Sequence, residues 1–108
     1  VACFVELVYD RFYQEFGDYF GSVITAIFTD EPMLLGRPRE KNLMPGTKGV
    51  LDVINDFLGY DFAPYLPELW EGDETSQAFR EFERAIEHHF EKTYYTQLYN
   101  CVNSIRLH

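Results

Sequence analysis

At 108 residues the chain has room for one domain with a modest core, and 46% hydrophobic with 18% aromatic residues marks it as globular rather than disordered. Its net charge of −9, from 18 acidic against 9 basic residues, argues against nucleic acid and anionic membrane surfaces, both of which call for a basic footprint. No apolar run approaches the roughly 18 residues that span a bilayer.

The opening, "VACFVELVYD", is already helix-like and has no basic leader region. The closing "CVNSIRLH" stops inside an apolar run. Both ends read as though residues 1–108 were a single segment of something longer. Cys3 and Cys101 lie near opposite ends, and they allow either one disulfide or two buried thiols.

In chain order, Val5, Val8, Tyr9, Phe12, Phe16, Tyr19 and Phe20 follow the 3-4 spacing of one helical face, with Gly17 weakening the helix and Gly21 ending it. Next, Val23, Ile24, Thr25, Ala26, Ile27 and Phe28 read as a buried strand closed by Thr29. Two carboxylates, Asp30 and Glu31, follow at its carboxyl end, and Pro32 stops it. Residues 32–49, with three prolines and three glycines, read as a long irregular loop.

Thr47 is placed to cap a helix carrying Val50, Leu51, Ile54, Phe57 and Leu58, which Gly59 stops. Asp61 is placed to cap a short helical turn from Tyr65 to Leu69, ended by Gly72. From Thr75 or Ser76 to Ile105 runs the longest predicted helix, about 45 Å at 1.5 Å per residue. Its apolar stripe is Phe79, Phe82, Ile86, Phe90, Tyr94, Leu98, Cys101 and Ile105. The terminal Ile105-Arg106-Leu107 reads as the start of another strand.

A lone apolar strand cannot satisfy its own backbone donors and acceptors, whereas strands separated by helices are the mark of α/β repetition. The expected fold class is therefore an α/β fragment. In isolation it is predominantly helical with one or two short strands, and it derives from a (β/α)8 barrel. In such a barrel chemistry sits at the carboxyl ends of the strands, where Asp30 and Glu31 stand. A solvated strand end is the plainer reading of the same two acids.

The stretch from Tyr13 to Pro32 adds to this. Its aromatic helix, Phe16-Gly17, apolar strand and Phe28-Thr29-Asp30-Glu31-Pro32 resemble a segment of large bacterial glycoside hydrolases similar to the α-L-rhamnosidases. The same group has a Gly-Tyr-Asp and a Leu-Pro-x-Leu, found here as Gly59-Tyr60-Asp61 and Leu66-Pro67-Glu68-Leu69, and a cysteine after a long helix, here Cys101. It departs from that pattern at Pro45-Gly46-Thr47, where the group has a tryptophan in place of the glycine. The resemblance implies a catalytic barrel in a parent protein acting on a carbohydrate substrate. In it Glu31 is the general acid/base and Asp30 orients it or a neighbouring loop.

Glycoside hydrolysis needs two carboxyl groups, about 5–5.5 Å apart for retention or about 6.5–9.5 Å for inversion. No second acid in this chain ends another strand, so the segment alone is expected to be inactive. Other chemistries find no pattern. Three residues before His88 and His89 stand Ala85 and Ile86, not glutamate, and there is no Cys-x-x-Cys, His-Glu-x-x-His or phosphate-binding glycine loop. No cofactor and no metal is expected. The competing reading is a free-standing, mostly helical protein-interaction module without catalysis. A barrel fragment is expected to self-associate through strand edges and apolar helix faces; a module is expected to be monomeric or specifically paired.

Overall fold

The computed structural model describes residues 1–30, 32–34, 44–71 and 73–105. It is predominantly helical, and it divides into two compact units, one of Val1–Glu31 with Phe90–His108 and one of Pro32–His89.

In the first unit the predicted N-terminal helix forms as a succession of short segments. They are α1 (Ala2–Phe4), a π-helical stretch at Val5–Asp10, α2 (Arg11–Phe16) and a 3-10 turn at Gly17–Tyr19. Its apolar stripe folds as a helix yet stays largely uncovered. Val5 and Tyr9 are half-buried, while Val8 is 46%, Phe12 49% and Phe16 43% exposed. Phe12 and Phe16 pack on each other with ring centroids 4.8 Å apart, the expected meeting of residues one helical turn apart.

The strand expected over residues 23–29 is not formed, and the backbone shows why. Gly21 has a positive φ of 82°, a conformation that costs glycine little. It folds the chain back so that the Tyr19 carbonyl accepts the amides of Ser22, Val23 and Ile24 at 3.3, 2.9 and 2.9 Å. Donors that a strand would offer sideways to a neighbour are thus consumed inside a turn. The only pairing recorded here is an isolated bridge between Phe20 and Ile24. Residues 25–30 follow without a ladder, since no strand lies beside them among the described residues.

The rest of the first unit is a π-helical stretch at Glu91–Tyr95 and α6 (Thr96–Ser104), with Leu98 and Ile105 buried. The second strand, expected from Ile105, is likewise corrected at its first residue. The Ile105 amide bonds the carbonyls of Cys101 and Val102, both at 3.2 Å, so Ile105 closes a helix; Arg106 and Leu107 lie outside the described residues. Cys3 and Cys101 are both free. Cys3 is exposed, and burial together with the Asp10 carboxylate pushes the Cys101 thiol up from its ordinary pKa.

The second unit holds the core. Here α3 (Val50–Leu58) starts after Gly49 rather than on a Thr47 side-chain cap; the Thr47 carbonyl accepts the Val50 amide at 3.0 Å instead. Gly59 ends α3 as predicted, with φ 81° and its amide on the Asn55 carbonyl at 2.8 Å, the left-handed stop common at helix ends. Asp61 caps the next turn, its Oδ1 accepting the Ala63 amide at 3.1 Å. That turn is a 3-10 helix at Ala63–Tyr65, followed by α4 (Glu68–Glu71); Gly72, the predicted stop, lies outside the described residues.

Ser76 proves to be the cap of the next helix. Its Oγ accepts the Phe79 amide at 3.1 Å, and α5 (Gln77–Phe90) follows. Ile54, Phe62, Leu69, Ala78, Phe82, Ala85 and Ile86 form one buried cluster, flanked by Val50, Leu51, Phe57, Leu58, Leu66 and Phe79. Phe62 is the centrepiece, with no exposed surface. Its ring lies 6.4 Å from Phe82, and its backbone amide is held by Asn55 Oδ1 at 2.8 Å. His88 is exposed, with its ring 4.9 Å from that of Phe57. No helix among the described residues is long and apolar enough to cross a membrane.

Candidate functional site at the Thr-Asp-Glu-Pro string

The string begins in irregular backbone of the first unit. Phe28 stands 87% exposed. The hydroxyls of Thr29 and Tyr94 are hydrogen-bonded at 3.0 Å, which ties the string to the π-helical stretch 65 residues later in the chain. Tyr94 is itself seated among aromatics, stacked on Phe90 at 5.3 Å and edge-on to Tyr95 at 5.2 Å. An aromatic cluster thus holds, through one hydrogen bond, the residue immediately before the two acids.

Asp30 is exposed. Glu31, the predicted acid/base, lies outside the described residues. The site as described is therefore a tethered string presenting one exposed carboxylate. An exposed carboxylate accepts hydrogen bonds and attracts cations. Among the described residues no group of three histidine, cysteine, aspartate or glutamate side chains is placed to hold a metal ion.

The other two elements of the resemblance fall in the second unit. Tyr60 of Gly59-Tyr60-Asp61 donates its hydroxyl to Glu81 Oε2, and Gln77 Nε2 donates to Glu81 Oε1 at 3.1 Å. These bonds hold the Glu81 carboxyl below its usual range, the Tyr60 hydroxyl contributing most. The same hydrogen bond pushes Tyr60 up to about 12. In Leu66-Pro67-Glu68-Leu69, Leu69 enters the core and Leu66 flanks it, while Glu68 is exposed.

Sequence reasoning missed the Tyr60–Glu81 pair. The available signal was the one-turn spacing of Gln77 and Glu81, which places both on one helix face. Nothing in the sequence brought Tyr60 to that face.

Fold and site together define a predominantly helical chain of two compact units with an anchored acidic string. No protein-family model, no curated protein and no solved structure matches the chain.

Proposed function

We propose that this chain is a segment of a glycoside-hydrolase-like catalytic domain, in which Glu31 serves as general acid/base and Asp30 orients it. The observation that carries the reading is the state of residues 25–30. They form no ladder, on a chain whose Phe28-Thr29-Asp30-Glu31-Pro32 resembles the strand end of such enzymes. Residues 25–29 lie outside any ladder, and an extended segment of this apolar composition can pair with strands supplied by the rest of a barrel. The Thr29–Tyr94 hydrogen bond would then hold the acids at the barrel mouth. The second carboxyl, the sugar-binding surface and the (β/α)8 enclosure come from the parent protein.

The test is hydrolysis of a panel of aryl glycosides by the longest natural protein that contains this chain, with and without Glu31→Gln. Loss of an acid/base lowers the rate by about 10²–10⁴-fold. That loss, with the circular dichroism spectrum unchanged, is the expected result. Activity indifferent to the substitution would reduce the string to a structural loop.

One observation is shared with a second reading, a helical interaction module. The N-terminal helical run buries no residue, and Phe4, Leu7, Val8, Phe12, Tyr13 and Phe16 are all at least 40% exposed. Exposed apolar surface of this extent marks a face that another structure covers. Sedimentation velocity on the 108-residue chain separates the two readings. Open-ended association that grows with concentration belongs to a barrel segment, and a single defined species belongs to a module.

A further inference from the structure

The second unit contains a cleft that the proposed hydrolase chemistry does not use. It is a half-open cleft of about 390 Å³ lined by Tyr60, Tyr65, Glu68, Gln77, Ala78 and Glu81. Every charged side chain among these is a carboxylate. Tyr60 and Tyr65 form a corner, with ring centroids 5.8 Å apart and planes at 81°, and both rings remain partly open to solvent, at 38% and 43%. Ala78 is buried, and its small side chain leaves the space between the tyrosine corner and α5 unfilled.

The hydrogen bonds decide what such a cleft selects. The Tyr60 hydroxyl is committed to Glu81, and so is one N–H of the Gln77 side-chain amide. The lining therefore presents two carboxylates and aromatic surface, with the Tyr65 hydroxyl and the second N–H of Gln77 as further donors. The two carboxylates repel an anion, and a neutral polyol such as a sugar gains nothing from their charge. A hard divalent cation needs about six oxygen ligands, and two carboxylates beside aromatic rings fall short of that. A soft organic cation needs only ring surface and negative charge. Volumes of this order suit a small ligand, and the net charge of −9 adds attraction at longer range.

We infer that the Tyr60–Tyr65 corner, with Glu68 and Glu81, is a binding site for a small quaternary ammonium group. The cation rests against the tyrosine rings, and the carboxylates balance its charge. The inference is independent of Glu31 and of the hydrolase reading.

The experiment is an NMR titration of the 108-residue chain with choline, read on the Tyr60 and Tyr65 ring protons and the Gln77 side-chain amide. A parallel titration uses 3,3-dimethylbutan-1-ol, which has the same shape without the charge. Saturable shifts with choline and weaker ones with the alcohol are expected. Tyr65→Leu should weaken choline binding about two- to fivefold, the contribution of one partly exposed ring.

Glu68→Gln, at an exposed position, should weaken it as well while leaving the core untouched, so the inference stays testable if Tyr65→Leu unfolds the chain. Equal binding of alcohol and choline would overturn the inference. So would no choline binding, choline binding indifferent to both substitutions, or methyl glucoside shifting the same resonances more strongly than choline.

Discussion

Tyr60 shows how much one hydroxyl organises in this chain. It donates to Glu81, and that bond lifts its own pKa from 10.0 to about 12 and lowers that of Glu81. The folded state therefore favours neutral Tyr60 and ionised Glu81. The stabilisation from Tyr60 is complete below the ordinary tyrosine pKa near 10 and is lost as pH rises through about 12. That from Glu81 is complete above the ordinary carboxylate range and fades as pH falls through its lowered value. Ultraviolet titration of tyrosinate should resolve a late-ionising component near pH 12, and Tyr60→Phe should remove it. If the variant titrates as the native chain does, the late component belongs to another tyrosine, such as Tyr9, which burial also raises.

At the scale of elements, caps and turns account for where helices begin and where a strand fails. Ser76 accepts the Phe79 amide, one of the orphan donors at a helix start. Ser76→Ala should cost about 1 kcal/mol, read as a lower denaturant midpoint with an unchanged slope. An unaltered midpoint would mean that the Asp73 turn just before it governs the start of α5. There Asp73 Oδ1 accepts the Thr75 amide at 2.8 Å, and the Thr75 hydroxyl bonds the same oxygen. The opposite case is the segment after Tyr19. Its composition is that of a strand, but the Tyr19 carbonyl collects the amides of Ser22, Val23 and Ile24. Local hydrogen bonds win wherever no neighbouring strand competes for those donors.

Over the whole molecule, the two units differ in how they are held. The second buries a continuous cluster from Ile54 to Ile86 with Phe62 at its centre. The first buries Leu98 and Ile105 and leaves its N-terminal aromatics open. Opening free energy follows buried apolar contact. Amide hydrogen exchange should therefore be slowest in α3 and α5, around Ile54 and Phe82, and fastest over Ala2–Phe4 and Arg11–Phe16. Equal protection in all four segments would show that burial does not govern their opening.

Much of the helical architecture was legible in the residues. Gly59 as a stop, Asp61 as a cap, Ser76 as a start and the Phe82–Ile86 stripe all follow from local rules, because helix hydrogen bonds close within four residues and turn chemistry within three. The candidate site was legible only as a string. Thr29, Asp30 and Glu31 stand adjacent in the chain, but the tether of Thr29 to Tyr94 spans 65 residues, and no periodicity reports a contact of that range. Three further features were hidden for the same reason: the burial of Phe62, the meeting of Tyr60 with Glu81, and the failure of residues 23–29 to become a strand. Each depends on which distant group arrives to share a hydrogen bond or exclude water. A strand is the extreme case, since every one of its backbone partners lies on another segment.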